Sequence, residues 1–166
     1  MIIRNETPQD IDAITHVTVA AFMHLEISDQ TEHYIIHALR REGALALSLV
    51  AEVENEIVGH VAFSKVTIED DTPGWFGLGP ISVRPDMQKN GIGGALIAEG
   101  ISRLKGMDGQ GCVLVGDPGY YNRHGFAHIP GLVYEGIPQE FVLAMPFTKT
   151  IPKGNVSFHK GFQARS

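Results

Sequence analysis

The sequence predicts a mixed α/β fold in which helices pack against one central sheet. Apolar residues recur at helical spacing over 11–22, two β-rich runs at 45–53 and 57–68 flank a hairpin signal, and a strand, a helix and a further strand follow one another over 75–115. A hairpin joins antiparallel strands, whereas a helical crossover joins parallel strands. We therefore expect strands of both orientations in the sheet.

The amino-terminal region predicts a short strand followed by two helices. Residues 2–4 favour a strand, and Thr7 and Asp10 have the spacing of a capping box, in which two residues satisfy each other's free amide groups at a helix start. The helix that follows should lie on the sheet. A second helix is predicted over 31–41, and Gly43 ends it because glycine readily adopts the left-handed conformation found there.

Two histidines of the second helix, His33 and His37, have a spacing that occurs in metal sites. The motif H-E-x-x-H is absent, because Tyr34 follows His33, and no carboxylate or third histidine is placed to complete a set of ligands. We therefore interpret both as exposed or half-buried helix residues and predict no metal site.

The run from 57 to 68 leads through a polar loop to a strand over Trp75 to Val83. Gly77, Gly79 and Pro80 lie inside this strand and are poor residues for a regular central position. They predict either a β-bulge or a close approach of a ligand to the backbone.

The stretch over 81–97 reads as a strand that ends in a glycine-rich turn and continues into a helix. Pro85 closes the strand because it has no amide hydrogen to donate, and Gly91, Gly93 and Gly94 precede apolar residues at helical spacing. The first amide groups of a helix have no partner inside it and lie at the positive end of its dipole, so they suit an anion. Because glycine has no β-carbon, a diphosphate can approach the backbone itself. The turn therefore predicts a phosphate-containing ligand.

Two common phosphate-binding motifs fail on their spacing. A Walker P-loop needs Lys followed by Ser or Thr after its glycines, and no such pair follows here. A dinucleotide-binding fingerprint, G-x-G-x-x-G, needs a third glycine at the position of Leu96.

The helix after the turn should reach Lys105, and a buried strand is predicted over 112–115. Its first residue, Cys112, is the sole cysteine, so no internal disulfide is possible. We interpret Cys112 as a small core residue rather than a nucleophile.

A last strand over 141–147 completes a predicted domain of residues 1–147. Residues 148–166 form a carboxyl-terminal extension. This extension adds an edge strand, or wraps the domain or a partner subunit, and the sequence does not choose among these.

Length and charge limit the classes of protein. A chain of 166 residues fits one domain with a hydrophobic core, and a net charge of −6 argues against a general nucleic-acid binder. No apolar run approaches the length of a membrane span, and no basic region followed by an apolar run opens the chain. We therefore expect a cytoplasmic protein without nucleic-acid or membrane partners.

Two motifs resemble those of the GCN5-related N-acetyltransferases, the GNAT family. Residues 88–93, Gln-Lys-Asn-Gly-Ile-Gly, are similar to the acyl-CoA-binding motif Q/R-x-x-G-x-G/A, and residues 121–126, Tyr-Asn-Arg-His-Gly-Phe, are similar to the motif Y-x-x-x-G-F. Two motifs in the right order, roughly thirty residues apart, are more specific than a lone glycine loop. The resemblance implies the GNAT fold, a mostly antiparallel sheet that is splayed at the cofactor site and flanked by helices.

The resemblance also implies that acetyl-CoA is the co-substrate. In the family the pantetheine arm pairs with the strand before the turn, and the diphosphate binds the turn. The cofactor-binding residues implied here are Ile81, Ser82, Val83, Gln88, Lys89, Asn90, Gly91, Ile92, Gly93 and Gly94. A backbone N–H near Ile81 or Ser82 would polarise the thioester carbonyl in the manner of an oxyanion hole.

Tyr121 aligns with the tyrosine that many family members use to protonate the departing thiolate, and Tyr120 is its neighbour and competitor. Many members also place a glutamate on the strand before the turn, but residues 75–83 contain no acid, so no general base is assigned. The alternatives left open for proton removal are a water relay, Ser82, a residue of the first helices such as Glu26 or His24, and solvent alone. The first two helices flank the acceptor site in the family. The implied candidates for acceptor contacts are therefore His24, Glu26, His33 and His37.

These resemblances imply an N-acetyltransferase that moves an acetyl group directly from CoA to an amine of a small molecule, a protein or a peptide. A homodimer is the expectation at the level of the family. An alternative with the same fold is a non-catalytic module that senses acyl-CoA, which fits the missing strand carboxylate. A third alternative is an unrelated protein that binds a phosphate-containing ligand. Such a protein would bind a nucleotide and would not bind CoA.

Overall fold

The structure, a computed structural model, describes residues 1–166. The strands are β1 (Ile2–Asn5), β2 (Leu47–Val53), β3 (Glu56–Lys65), β4 (Thr67–Ile68), β5 (Trp75–Val83), β6 (Gly111–Val115), β7 (Leu132–Val133), β8 (Val142–Pro146) and β9 (Gly154–Ser157). The helices are α1 (Ile11–Phe22), α2 (Glu32–Arg41), α3 (Ile92–Gly106) and α4 (Pro118–Tyr121). The bounds predicted for β5 match those observed.

The central sheet has the strand order β1-β2-β3-β5-β6-β8. Every neighbouring pair is antiparallel except β5 and β6, which the crossover helix α3 joins in parallel. The predicted fold class, a mixed and mostly antiparallel sheet flanked by helices, is thus confirmed.

The helices cover both faces of the sheet. On one face, apolar residues of α3 such as Leu96 and Leu104 pack with Leu49 and Phe63 in the main core. On the other face, α1 and α2 pack over Val50. No helix combines the length and the apolarity that a bilayer span requires.

The predicted capping residues join β1 to the start of α1. The Asp10 carboxylate accepts a hydrogen bond from the Thr7 amide at 2.7 Å and a second from the Arg4 guanidinium at 2.7 Å. Arg4 also donates to Glu52 of β2 at 2.8 Å. A 3₁₀ turn, Pro8–Asp10, precedes α1, so the helix itself begins slightly later than the capping pattern predicts.

A small second sheet has the order β4-β9-β7 and contains the strand of the carboxyl-terminal segment. The predicted run over 57–68 is therefore two strands, because the chain leaves the central sheet after β3 and Ile68 pairs with Val156 of β9. The Phe158 ring lies over Gly77 of β5, where a β-carbon would come within 2.8 Å of it. This contact joins the carboxyl-terminal segment to the central sheet.

β5 is irregular where the sequence predicts it. Val61 of β3 pairs with Ile81, whereas Phe63 pairs with Leu78, so β5 carries an extra residue in this interval. Gly79 lies in it with φ of +138°, a conformation that other residues rarely adopt. The bulge, one of the two predicted alternatives, is present.

β5 and β6 are paired for only part of their length. Residues 75–77 of β5 pair with residues 111–113 of β6, and the remainder of β5 has no partner on that side. The sheet therefore splits between the two strands, next to the start of α3.

Candidate functional site

The free edge of β5 presents backbone groups to this gap. The Arg84 amide donates to the Val58 carbonyl of β3 at 2.8 Å. Because backbone groups alternate in direction along a strand, Ile81 and Val83 point theirs away from β3 and toward the gap. The Gln88 side chain donates to the Val83 carbonyl at 3.0 Å, which folds the following turn back against the strand.

The turn after β5 leads directly into α3, and the first backbone amides of α3 are free. Gly91 directly precedes the helix and has φ of +82°. The first hydrogen bond of the helix runs from the Ala95 amide to the Gly91 carbonyl at 3.0 Å. The amides of Ile92, Gly93 and Gly94 therefore have no acceptor within the helix and are available to an anion.

A cavity of about 740 Å³ connects the free edge of β5 with the start of α3. The predicted cofactor-binding residues that line it are Ile81, Ser82, Val83, Gln88, Lys89, Gly91, Ile92, Gly93 and Gly94. Asn90 does not line it; its side-chain amide donates to the Met87 carbonyl at 3.1 Å and holds the turn. The cavity also reaches Phe22 and Leu25 at the end of α1 and beyond it.

Tyr120, named above as the competitor of Tyr121, also lines the cavity, and so do Arg123 and His124, which are not among the predicted residues. A β-carbon on Gly93 would lie 2.7 Å from the Tyr120 hydroxyl, and one on Gly94 would lie 2.8 Å from the His124 ring. The glycines therefore give α4 and the turn after it room to pack over the start of α3. Arg123 and His124 occupy variable positions of the motif Y-x-x-x-G-F, so that motif is the sequence signal that could have identified them.

The charge of the cavity is opposite to that of the whole chain. Lys89 and Arg123 line it, and the Arg123 guanidinium lies 5.2 Å from the centre of the Tyr120 ring. No Asp or Glu lines the cavity, although the net charge of the chain is −6. Together with the free amides of α3, these cations favour an anionic ligand.

Tyr121 lies beside this cavity rather than in its lining. Its ring packs edge-on against Tyr120, with centroids 4.9 Å apart, and against Phe126 at 6.1 Å. A β-carbon on Gly116, which directly follows β6, would meet the Tyr121 ring. Burial, helped by Tyr120 and Asp117, raises the pKa of Tyr121 to about 12. Its phenol is therefore protonated throughout the physiological range.

The candidate acceptor contacts of the first two helices do not converge. The His37 Nε2 atom lies 2.9 Å from the Thr15 hydroxyl oxygen. The His33 ring packs edge-on against the His37 ring, with centroids 6.3 Å apart. His24 and Glu26 are exposed between α1 and α2 and do not line the cavity. No cluster of three or more metal-ligating side chains is present.

Cys112 lies in the main core and is inaccessible to solvent. Burial raises the pKa of its thiol, which disfavours the nucleophilic thiolate. These observations agree with the interpretation of Cys112 as a core residue.

Comparison with known sequences matches this chain to a family of acetyltransferases. The family model described as an acetyltransferase (GNAT) domain matches residues 44–128. The chain is 33% identical over 127 residues to a protein of Escherichia coli (strain K12) named "Uncharacterized N-acetyltransferase YhbS", a match that covers 76% of this chain and 73% of that protein.

Solved structures give the same result. A GNAT family acetyltransferase from Brucella melitensis, in complex with acetyl-CoA, is 45% identical with a TM-score of 0.86, and the match covers 97% of each chain. The structure of YhbS from Escherichia coli in complex with CoA is 26% identical with a TM-score of 0.90, over 99% of this chain and 93% of the other.

Proposed function

The chain belongs to the GNAT family of acetyltransferases, and we propose that it transfers an acetyl group from acetyl-CoA to an amine. The observation that carries this proposal is the cavity, which joins the unpaired edge of β5 to the free amides at the start of α3. It offers one continuous site for a ligand with an amide-containing arm and a diphosphate.

The turn and the start of α3 would bind the diphosphate. The amides of Ile92, Gly93 and Gly94 have no acceptor within the helix, and Lys89 and Arg123 add positive charge. Hydrogen bonds to charged groups contribute about 1.5–3 kcal/mol each. Gln88 and Asn90 hold the turn in place through the Val83 and Met87 carbonyls.

The free edge of β5 would bind the pantetheine arm. Ile81 and Val83 direct backbone groups into the gap, and the arm's amides can pair with them as an added strand would. Of the two amides considered as oxyanion donors, the Ile81 N–H points into the gap, whereas the Ser82 N–H points toward β3. We therefore propose the Ile81 N–H as the group that polarises the thioester carbonyl.

Tyr121 is proposed as the acid that protonates the leaving thiolate. It lies where β6 ends, beside the split in the sheet, and its phenol is protonated at working pH. Tyr120, which lines the cavity, would instead pack against the bound cofactor. The attacking amine would enter beside the end of α1, where Phe22 and Leu25 line the cavity.

Calorimetric titration of the protein with acetyl-CoA, desulfo-CoA and ATP tests the proposal. We expect micromolar binding of both CoA ligands without comparable binding of ATP, which lacks the pantetheine arm. Release of free CoA thiol with a panel of primary amines then tests transfer. Binding of acetyl-CoA with no turnover on any amine would favour the sensor module, and no binding would refute the assigned cofactor site.

A further inference from the structure

The proposed transfer needs an acceptor for the amine's proton, and the cavity lining contains no carboxylate. An alkylammonium ion has a pKa of about 10, so it must lose a proton before its nitrogen can attack. The inference below rests on the proposed function and deepens it by assigning that proton acceptor.

A polar cluster with two buried and two partly buried members lies beneath α1 and α2, on the opposite face of the sheet from α3. It consists of Glu6, Arg40, Ser48 and His60. The Arg40 guanidinium donates to both Glu6 carboxylate oxygens, at 2.8 and 3.0 Å. The Ser48 hydroxyl donates to Glu6 and lies 2.7 Å from the His60 Nε2 atom. His60 has 0% exposure to solvent.

These hydrogen bonds decide which nitrogen of His60 carries the hydrogen. Burial alone would raise the pKa of Glu6, but His60, Arg40 and Ser48 together lower it to about 2, so its carboxylate only accepts. The single hydroxyl hydrogen of Ser48 goes to Glu6, so Ser48 accepts from the His60 Nε2–H. The Nδ1 atom then keeps its lone pair, is buried, and makes no hydrogen bond. Because leaving such a group unpaired is costly, its presence requires an explanation.

His60 stands next to a residue of the cavity. It pairs directly with Ser82 across β3 and β5, and such residues have β-carbons about 5 Å apart. Both side chains lie on the α1 face, where the Ser82 hydroxyl is 3.4 Å from that of Thr18. Ser82 also lines the cavity. Its hydroxyl lies against Thr18 and makes no hydrogen bond to His60 Nδ1 in this structure, so connecting the buried ring with a bound amine requires the Ser82 side chain to turn from Thr18 toward the ring.

We propose that His60 is the proton acceptor of the transfer reaction and that it acts through Ser82. The acceptor ammonium gives a proton to the Ser82 oxygen while the Ser82 hydroxyl hydrogen moves to His60 Nδ1, which leaves a neutral amine and an imidazolium. The amine nitrogen then forms its bond to the thioester carbonyl carbon, and the C–S bond breaks. The thiolate takes a proton from Tyr121, and the second proton, which the nitrogen loses as it becomes an amide, restores the Tyr121 phenol. His60 later returns its proton to solvent through Ser82.

The surroundings of His60 suit a neutral base that becomes a cation. Burial lowers the pKa of His60, opposed by Glu6 and assisted by Arg40. The ring is thus neutral at physiological pH, and the Glu6 carboxylate, 3.8 Å from Nε2, stabilises the imidazolium that forms. Glu6 and Arg40 are the charged groups that face the ring, since α1 contributes Thr18, β2 contributes Ser48 and β5 contributes Ser82.

His124 is the other histidine that lines or adjoins the cavity, but it lies over Gly94 at the start of α3. That position is at the proposed diphosphate end of the cavity, and Lys89 and Arg123 line the same cavity. His124 therefore fits cofactor binding better than proton removal.

Replacement His60→Gln separates the proton-accepting role from a packing role. A glutamine amide nitrogen can replace Nε2 as the donor to Ser48, but it cannot accept the proton. We expect His60→Gln and Ser82→Ala to bind acetyl-CoA like wild type and to lower kcat at neutral pH by about 10²-fold or more. His128→Gln, at an exposed histidine outside the cluster, is the control and should leave the rate unchanged.

The pH profile distinguishes this role from a structural one. In the wild type, kcat/KM should fall at acid pH as His60 becomes protonated, and His60→Gln should lose that step. The rate deficit of the variant should shrink as pH approaches the amine's own pKa of about 10, because solvent then supplies the free amine. A folded His60→Gln enzyme with wild-type affinity and a wild-type pH profile would overturn the proposal.

Nitrogen-15 NMR of the histidine side chains tests the inference without any turnover. We expect His60 to be neutral near pH 7, with its hydrogen on Nε2 and an unprotonated Nδ1. A hydrogen on Nδ1 would refute the proposed path even if acetyl transfer is confirmed. If His60 has the expected tautomer but the protein does not bind acetyl-CoA, the proposed function is refuted instead.

Discussion

The Tyr120 hydroxyl lies 2.7 Å from the point that a β-carbon on Gly93 would occupy. This contact means that the glycine serves the site in two ways. Its free amide is available to a diphosphate, and its missing side chain lets Tyr120 pack over the start of α3. Any larger residue at Gly93 must displace the tyrosine.

Gly93→Ala should weaken CoA binding at least about tenfold, equivalent to about 1.4 kcal/mol, because Tyr120 must move across the diphosphate site. Calorimetry measures this change. Gly106→Ala in the same helix is the matched control, since nothing lies within 4 Å of its β-carbon position. That control should keep wild-type affinity. Equal affinities of both variants would show that the Tyr120 contact does not shape the site.

Arg123→Gln should also weaken CoA binding about tenfold, and the remaining affinity should depend less on salt. Arg123 forms no ion pair in the chain, and its guanidinium stacks on Tyr120 beside the free amides of α3. Its charge is thus available to a phosphate group. Titrations at several salt concentrations measure both effects, with Arg165→Gln near the carboxyl terminus as the control. An unchanged salt dependence would place the ligand's phosphates elsewhere.

Local patterns predict the elements that position the site. Pro85 and the glycines after it mark the end of β5 and the start of α3, because each constrains the backbone within a few residues. Gly79 and Pro80 likewise indicate the bulge, since a regular ladder tolerates neither. These signals need no knowledge of the rest of the chain.

Features that depend on distant pairing were not predicted. The split of the 57–68 run follows from pairing of Ile68 with Val156, which are far apart in sequence. The contacts of Tyr120 and His124 with α3 arise only after the sheet brings α4 beside that helix. The position of Ser82 beside His60 likewise depends on the register of β3 and β5.

Asp10→Asn should lower the free energy of unfolding at pH 7 by about 1–3 kcal/mol, because Arg4 loses a charged partner and the Thr7 amide loses a strong acceptor. Hydrogen bonding from Arg4, opposed by burial and assisted by Thr7, lowers the pKa of Asp10 from 3.8 to about 2. Because the pKa of Asp10 is lower in the folded than in the unfolded protein, its ionised carboxylate stabilises the folded state fully at pH values above the unfolded-state pKa of 3.8. This contribution should disappear as the pH falls from 3.8 to about 2.

Urea unfolding of wild type, Asp10→Asn and Asp12→Asn from pH 7 to pH 2 measures the difference. Asp12 is exposed in the first turn of α1 and has no ion-pair partner, so its variant should change stability by about 0.5 kcal/mol or less. The gap between Asp10→Asn and wild type should close as pH falls. A gap that stays constant down to pH 2 would contradict the assigned role of the Asp10 charge.

Tyr121→Phe should lower kcat by about 10²-fold while leaving acetyl-CoA affinity unchanged, because it removes a proton donor and keeps the ring that packs against Phe126. Tyr120→Phe is the matched comparison at the adjacent position and should change affinity more than kcat, since its hydroxyl lies against Gly93. Single-turnover rates and calorimetry on both variants separate the two effects. The reverse result, with loss of kcat only in Tyr120→Phe, would assign the acid to the tyrosine that lines the cavity. Because the pKa of Tyr121 is raised to about 12, the wild-type rate should show no loss from ionisation of this phenol below pH 10.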